Sequence, residues 1–291
     1  MKDPKEILAQ MTLEEKASLC DGADFWHMKG MEKYDIPCIM VCDGPHGLRK
    51  KDYSKKGDSL SNSVPAISYP TAATTACSWD PELLYEMGVA LGKKCLKEEV
   101  GVLLGPGINM KRSPLCGRNF EYFSEDPILA GELAAGFING VQSMGVGTSL
   151  KHFCANNRET NRRGMNSVVS ARALREIYLR GYKIVVDEAG GDCIMTTYGA
   201  LNGVWTAGNH ELVTTVLREE WGFEGVVMTD WWAHITNLDG TTSTSDFASM
   251  VKCQNDIYMV MENAKTNKDI IVYSEQIAAL ETELKFREKE L

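Results

Sequence analysis

Short apolar segments alternate with long helical patterns along most of this chain, and this alternation limits the folds that it can adopt. Each apolar segment is continuous and is bounded by glycine or polar residues, as in CIMTTY at 193–198 and GVVMTD at 225–230. Continuous apolar runs of this length are typical of parallel strands that are buried on both faces. The predicted strands lie near residues 38, 72, 102, 148, 194, 227 and 258.

Helix start signals lie between these strands. Asp80 and Asp126 are each followed by proline, which places the acidic residue at the N-cap and the proline in the first turn. These two signals predict helices over 81–98 and 126–143. The other predicted helix starts are Thr12 (in a capping box with Glu15), Ser170 and Asn209.

Alternating strands and helices at this count predict a parallel α/β fold. Periodicity does not distinguish a barrel from a doubly wound sheet. Polar residues follow most of the predicted strands, which favours a barrel, because barrels build their sites at that rim. We therefore expect residues 1–291 to form one (β/α)8 TIM-type barrel, with one irregular or missing strand allowed. The polar segments 50–63 and 238–246 are expected to be surface loops.

Composition excludes several classes of protein. The chain has 31 Lys and Arg against 40 Asp and Glu, a net charge of −9, so a nucleic-acid partner is not expected. No apolar stretch reaches about 18 residues, and the N-terminus lacks the apolar core of a signal peptide. We expect no membrane partner and a cytoplasmic location. The nine cysteines include no C-x-x-C pair and are expected to be reduced thiols.

Polar groups at the predicted strand ends form the candidate site. They are Asp43, Asn109 with Arg112, Lys151 with His152, Tyr198, and Asp230 with Trp231 and Trp232. The chain has no glycine-rich phosphate loop and no metal-ligand spacing, so no cofactor and no metal are expected. Carboxylates, basic groups and tryptophan rings suit a neutral ligand rich in hydroxyl groups, such as a sugar.

Each candidate residue also has a purely structural interpretation. Asp43 precedes Gly-Pro and suits a turn, Arg112 suits a surface salt bridge, and Lys151 could extend its charge to solvent. His152 and Tyr198 could be core residues with satisfied polar atoms. Asp230 is the hardest to explain in this way, because an acid at the end of a buried strand is costly without a partner or a function.

Four motifs occur in the order found in one enzyme family. They are DGPHGLR at 43–49, KRSPLCGRNFEYFSEDP at 111–127, KHF at 151–153 followed by ANNRE at 155–159, and VVMTDWWA at 226–233. Over roughly residues 10–260 the chain resembles the β-glucosidases of glycoside hydrolase family 3. Each motif alone is weak evidence, but the ordered set is specific.

The resemblance implies a fold, an activity and a set of roles. Family members begin with a (β/α)8-type barrel and cleave terminal β-D-glucosyl or related residues with retention, through a covalent glycosyl-aspartate. Asp230 matches the nucleophile. The residues that match the sugar-binding positions are Asp43, Arg112, Lys151 and His152; Tyr198 matches a tyrosine against the nucleophile, and Trp231 matches the pocket wall. We expect Lys151, Arg112 or a charged His152 to lower the pKa of Asp230.

The acid/base group cannot be assigned by this resemblance. A retaining glycosidase needs a second carboxyl group about 5–5.5 Å from the nucleophile. In the family's β-glucosidases this is usually a glutamate of a second α/β domain, which we expect to be absent from this chain. Single-domain relatives use a loop histidine after the KHF motif, but the corresponding loop here, CANNRETNRR, has none.

Three hypotheses follow. The chain could be a barrel whose acid/base comes from a second chain or a homo-oligomer. It could act alone, with Glu159, Glu121 or a loop carboxylate as the acid. It could also be a sugar-binding or structural remnant without turnover. A phosphate-sugar aldolase or isomerase barrel is disfavoured, because no phosphate loop is present. The divergent tail, 264–291, predicts a last helix from about Ser274, which either packs on the barrel or pairs with another chain.

Overall fold

A curled seven-stranded sheet forms the centre of the protein in the computed structural model, which describes residues 3–56, 62–236, 242–245, 247–260, 270–272 and 274–278. The sheet has the strand order β1-β2-β3-β4-β5-β7-β10. Strands β3 to β10 of this sheet are all parallel, whereas β1 and β2 form an antiparallel hairpin at one edge. Its strands are β1 Gly22–Asp24, β2 His27–Met28, β3 Ile39–Asp43, β4 Val102–Leu104, β5 Gly147–Phe153, β7 Cys193–Thr196 and β10 Val226–Met228.

Two small sheets lie outside the main one. The first pairs β6 (Asn166–Ser167), β8 (Ala200–Leu201) and β9 (Val204–Trp205), and the second pairs β11 (Ile235–Thr236) with β12 (Thr242–Ser243). Both follow the carboxyl ends of main-sheet strands along the chain, so they belong to the loops on that side of the sheet.

The parallel strands are buried on both faces, as their apolar runs predict. Val41, Leu103, Leu150, Ile194 and Val227 are all at most 1% exposed. Apolar side chains on both faces exclude water, so the backbone hydrogen bonds of these strands are shielded and their carboxyl ends are held at one edge.

We expected a (β/α)8-type barrel with one irregular or missing strand allowed, and the parallel α/β part of this prediction is confirmed, but the main sheet does not form a full eight-stranded barrel. The segment predicted as a strand near residue 72 is instead helical, α3 (Ala72–Thr75), because its alanines favour a helix and the Ala72 N–H donates to Nε2 of His46. The predicted strand near 258 makes only single bridges: Ile257 to Met228 of β10 and Tyr258 to Asp21 before β1. The fold is a mixed α/β fold with a curled sheet.

Helices cover the sheet, and the predicted caps are confirmed. Side-chain oxygens of Asp80, Asp126 and Ser170 accept hydrogen bonds from the first-turn N–H groups, and Thr12 and Glu15 form the capping box. The helices are α1 Pro4–Gln10, α2 Leu13–Ser18, α3, α4 Pro81–Lys97, α5 Pro127–Gln142, α6 Ala171–Ala173, α7 Arg180–Ala189 and α8 Phe247–Lys252, with π-helical turns at Leu174–Tyr178 and Glu211–Glu220. Asn209 accepts from the Leu212 N–H at the second π-helical segment.

Other sequence predictions have mixed outcomes. All nine cysteines are free, which confirms the prediction against a disulfide framework. None of the helices in the described part of the chain has the length and hydrophobicity of a membrane span. Residues 274–278 are helical, as predicted for the tail, but 279–291 lie outside the described residues. Of the two predicted surface loops, 57–61 and most of 238–246 also lie outside them.

Helices α4 and α5 pack at glycines. A Cβ atom added at Gly140 would overlap the carbonyl oxygen of Tyr85, and one at Gly88 would overlap that of Phe137. Both neighbours are helix backbone, which cannot move aside without separating the two helices. The missing side chains therefore allow α4 and α5 to approach closely.

We expect Gly140→Ala to destabilise the fold. Alanine favours the helix by about 1 kcal/mol, but the overlap with backbone should outweigh this and give a net loss of about 1–3 kcal/mol. Gly117→Ala is the matched control, because no atom lies within 4 Å of a Cβ at that position. Urea unfolding of both variants measures the difference, and equal stabilities would contradict the close helix contact.

Candidate active site

A pocket of about 620 Å³ opens at the carboxyl ends of the main-sheet strands. Its walls come from the residues that end or follow β3, β4, β5, β7 and β10, together with the β1–β2 hairpin. Of the seven residues to which the resemblance gives a role, six line it: Asp43, Lys151, His152, Tyr198, Asp230 and Trp231. The parallel strands thus bring together side chains that are far apart in the sequence.

Arg112 does not line the pocket. It is exposed, and its guanidinium lies 5.8 Å from the ring centre of Tyr178. Arg118, from the same motif, lines the pocket instead and donates to Nε2 of His152 at 2.9 Å. The sequence contains a signal for this choice, since Glu121 follows Arg118 at the i,i+3 spacing of an ion pair.

Asp43, at the end of β3, is paired with two cations. Lys151 Nζ lies 3.0 Å from its Oδ1, and Arg49 Nη2 lies 2.7 Å from its Oδ2. Burial alone would raise the pKa of Asp43, but Lys151 and Arg49 outweigh it and hold the pKa below its ordinary value. Asp43 is therefore a fixed negative charge and an acceptor at the pocket floor.

An irregularity in β5 turns two consecutive side chains into the pocket. In a regular strand, Lys151 and His152 would point to opposite faces. The pairing of β5 with β7 shifts register between Lys151 and Phe153, and both Lys151 and His152 line the pocket. The backbone of His152 is held by Asn109, whose amide accepts from its N–H at 2.9 Å and donates to its carbonyl at 2.8 Å.

His152 is a neutral group in this site. Burial lowers its pKa well below the ordinary value, and the charges of Arg118 and Lys151 act in the same direction. Its Nε2 lies 3.8 Å from Oδ2 of Asp230, but a neutral imidazole at that distance forms neither an ion pair nor a hydrogen bond. The expectation that a charged His152 assists Asp230 is therefore wrong.

Asp230 follows β10 by two residues, is buried and lines the pocket. Its Oδ1 accepts from the Trp231 N–H at 2.8 Å. Burial raises the pKa of Asp230, and Arg118, the Trp231 N–H, Lys151 and Arg162 only partly offset this. The net direction is the reverse of our expectation from the sequence, because the cations lie around the carboxylate and not in direct pairs with it.

Aromatic side chains form two walls around this carboxylate. Trp231 donates from Nε1 to the Phe25 carbonyl at 2.9 Å, and its ring lies 5.9 Å from that of Trp26. On another side, the pKa of Tyr198 is raised by burial and by the adjacent charge of Asp230. Arg162 stacks on the Tyr198 ring at 4.5 Å. These rings offer flat apolar surfaces beside the charged floor.

The two glutamates that were considered as acids are both engaged by Arg118. Its Nε donates to Oε1 of Glu121, and its Nη1 lies 3.9 Å from Oε1 of Glu159. Glu159 also accepts from Asn156 and Arg162, and it does not line the pocket. Both carboxylates therefore serve as ion-pair partners of the arginines that surround them.

The described residues contain no group of three His, Cys, Asp or Glu side chains that could hold a metal ion. The pocket is thus built from hydrogen-bonding charges and aromatic rings. Its chemistry is that of a carboxylate surrounded by donors, in a space large enough for a small organic ligand.

Comparisons with known proteins agree with this geometry. The model of the glycosyl hydrolase family 3 N terminal domain matches residues 28–289. The chain is 52% identical over 244 residues to thermostable beta-glucosidase B of Acetivibrio thermocellus, covering 84% of this chain and 32% of the relative. It is 54% identical over 224 residues to an exo-alpha-(1->6)-L-arabinopyranosidase of Bifidobacterium longum, covering 77% and 30%.

Solved structures are similar as well. Beta-glucosidase 3B from Thermotoga neapolitana in complex with glucose superposes with a TM-score of 0.80 at 39% identity, over 97% of this chain and 40% of that one. The GH3 beta-glucosidase of Bifidobacterium adolescentis gives 0.80 at 45% identity, over 92% and 36%. The chain spans about a third of the length of the curated relatives that it matches.

Asp43 and Asp230 should affect stability in opposite directions, because their pKa values shift in opposite directions. The stability from ionised Asp43 is present at neutral pH and is lost as pH falls through its folded-state pKa, so Asp43→Asn should destabilise the fold at pH 7 by about 1.5–3 kcal/mol. The cost of ionising Asp230 is full at pH 7, so Asp230→Asn should stabilise it by about 0.5–2 kcal/mol.

Thermal unfolding of the two variants at pH 7 measures this difference. The gain from Asp230→Asn should shrink as pH falls through the raised folded-state pKa of Asp230 and should be lost below about 4, near the ordinary pKa of aspartate. Shifts of the same sign in both variants at pH 7 would contradict the charge assignment.

Proposed function

Because the chain belongs to glycosyl hydrolase family 3, we propose that its pocket binds a terminal β-D-glucosyl residue and that Asp230 is the nucleophile of a retaining hydrolysis. An oxygen of Asp230 forms a bond to the anomeric carbon while the bond from that carbon to the aglycone oxygen breaks. The leaving oxygen takes up a proton, and water then cleaves the glycosyl-aspartate. The observation that carries this proposal is a buried carboxylate at the end of β10 that faces a pocket of donors.

The remaining pocket residues suit a sugar. Asp43 accepts from hydroxyl groups, whereas Lys151 and Arg118 donate to them. The rings of Trp231 and Trp26 suit the apolar face of a pyranose. Arg118 takes the donor role that was expected of Arg112.

The raised pKa of Asp230 fits this role. A carboxylate that burial destabilises is more reactive toward an electrophilic carbon than one neutralised by a direct ion pair. Developing positive charge on the sugar would offset part of that destabilisation, so the interaction becomes stronger in the transition state than in the ground state.

We propose that the acid/base lies outside the described residues. Among the residues that the structure describes, three carboxylates line the pocket: Asp43 and Glu121 are paired with cations, and Asp230 is the proposed nucleophile. Apolar side chains are exposed on the loops after β4 and β10: Leu115 at 91%, Phe120 at 53% and Trp232 at 36%. A second chain or another copy that covers this rim could supply the acid, since exposed apolar patches often mark interaction sites.

The relatives differ in the sugar that their names give. One is named for β-glucosides and another for α-L-arabinopyranosides at similar identity. We favour glucose, in keeping with the glucose complex of the Thermotoga neapolitana neighbour. Parallel assays with the 4-nitrophenyl glycosides of both sugars would rank them.

The nucleophile is tested by covalent trapping. After incubation with 2,4-dinitrophenyl 2-deoxy-2-fluoro-β-D-glucopyranoside, the intact mass should increase by one fluoroglucosyl group, on Asp230. The activated leaving group needs no acid, so the experiment does not depend on the unassigned residue. Asp230→Asn should give no adduct. Folded wild-type protein that stays unlabelled would contradict the proposal and favour the alternative, a sugar-binding barrel without turnover.

The role of Arg118 is tested with a matched pair of arginine variants. Arg118→Met should reduce the rate constant of covalent labelling about 10- to 100-fold, because a hydrogen bond to a charged group contributes about 1.5–3 kcal/mol. Arg112→Met removes the same group from the same loop and should change the rate less than about 2-fold, as an exposed site. A larger loss in Arg112→Met would restore the original expectation.

A further inference from the structure

The ring of His152 lies between two side chains that the sugar-binding proposal does not use together. On one side, Nη2 of Arg118 lies 2.9 Å from Nε2. On the other, the hydroxyl oxygen of Tyr122 lies 3.2 Å from Nδ1. Tyr122 and His152 are almost completely buried, so water does not replace either contact.

Arg118 determines which nitrogen carries the proton. A guanidinium group has only donors, so Nε2 must accept and cannot bear hydrogen. His152 is neutral, and its single ring proton therefore sits on Nδ1, directed at the Tyr122 oxygen. The same oxygen accepts from the amide of Asn156 at 3.0 Å, which leaves it a second lone pair for His152.

The other tautomer would be disfavoured here. A proton on Nε2 would face the N–H of Arg118, and the carboxylate oxygen of Asp230 is too distant, at 3.8 Å, to accept it. Nδ1 could then accept from the Tyr122 hydroxyl, so the cost of this tautomer lies at Nε2 and not at Nδ1. The hydrogen bond from Arg118 would be lost in a site without solvent.

We propose that Tyr122 is a positioning residue: its hydroxyl oxygen accepts the Nδ1 proton of His152 and, together with Arg118 at Nε2, holds the ring so that Nε2 remains the acceptor that places Arg118 beside Asp230. Tyr122 does not line the pocket, so it acts through His152 and not on the ligand. Glu121, the preceding residue, holds the same guanidinium from its other side. The turn Asn119–Glu121 thus supports the site through two adjacent side chains.

The position of Arg118 affects reactivity because it affects the pKa of Asp230. The charged groups that face it are Arg118, Lys151 and Arg162, with neutral His152 and Tyr198 beside them. Among these cations, Arg118 has the largest effect in lowering the pKa of Asp230. If Arg118 loses its acceptor, that pKa should rise further, and the pH at which the nucleophile becomes ionised should move upward. This consequence rests on the proposed function, whereas the tautomer does not.

Nitrogen-15 NMR tests the tautomer directly. In a spectrum of the full chain with labelled histidine, the ring cross-peaks distinguish the Nδ1–H form from the Nε2–H form. The chain has only five histidines, and the His152 pattern is assigned by its loss in His152→Asn. We expect wild-type His152 to be the neutral Nδ1–H form. An Nε2–H form or an imidazolium near neutral pH would overturn the proposal without any further variant.

Two tyrosine variants separate positioning from simple packing. Tyr122→Phe should produce a mixed or Nε2–H pattern at His152. Tyr182→Phe is the matched control, because Tyr182 is equally buried and its hydroxyl donates to the carbonyl of His152 at 2.7 Å, not to the ring. It should leave the ring pattern unchanged. An unchanged tautomer in Tyr122→Phe, or the same change in both variants, would overturn the proposal.

The pH dependence of fluoroglucoside labelling gives the second measurement. Tyr122→Phe should slow labelling about tenfold, the order expected for one lost hydrogen bond, and should move the acidic limb to higher pH. Tyr182→Phe should leave the position of that limb unchanged. If the wild-type protein is not labelled at all, the proposed function fails, but the NMR result still tests the tautomer.

Discussion

Arg118 connects the buried charges of this pocket. Its guanidinium donates to His152 and Glu121 and lies within ion-pair distance of Glu159, and its charge also acts on Asp230. Without it, three carboxylates would lose a cation in a region from which water is largely excluded, and a buried charge without compensation is strongly destabilising. The position of the loop after β4, the ionisation of the pocket and the orientation of His152 therefore depend on one side chain.

The two aspartates at the strand ends show how the same fold gives one residue type two different properties. Asp43 and Asp230 follow parallel strands at the same edge of the sheet. Asp43 has Lys151 and Arg49 in direct contact, whereas Asp230 has a backbone N–H and more distant cations. The first arrangement favours the charged form, and the second leaves part of the burial cost in place. A reactive carboxylate is expected where that cost is not offset, so the pocket combines a stabilising acid with a destabilising one.

The structural features that could be predicted from the sequence are those whose cause lies within a few neighbouring residues. Asp80 and Asp126 cap their helices because the cap uses only neighbouring N–H groups, and such signals can be recognised in the sequence. The segment near residue 72 was wrongly predicted as a strand, since its contact with His46 is made across the fold. Arg118 was not singled out, although its spacing to Glu121 is a signal, because the loop that holds Arg112 and Arg118 has no periodicity that indicates which side chain turns inward. The pKa shift of Asp230 depends on burial and on the distances to several cations, which only the folded chain defines.

The places where local rules fail coincide with the pocket. β5 is irregular where Lys151 and His152 both turn inward, and a regular strand would place one of them in the core among apolar side chains. Trp232 has a φ of +55°, which costs a bulky residue about 1–2 kcal/mol, and it is held there by the hydrogen bond from its N–H to the Met259 carbonyl and by contact with Phe25. Both departures place side chains in the pocket wall where regular elements would not. These two departures from regular structure cost stability. The buried strands and helices offset that cost, so the fold maintains the strained parts of the site as well as its geometry.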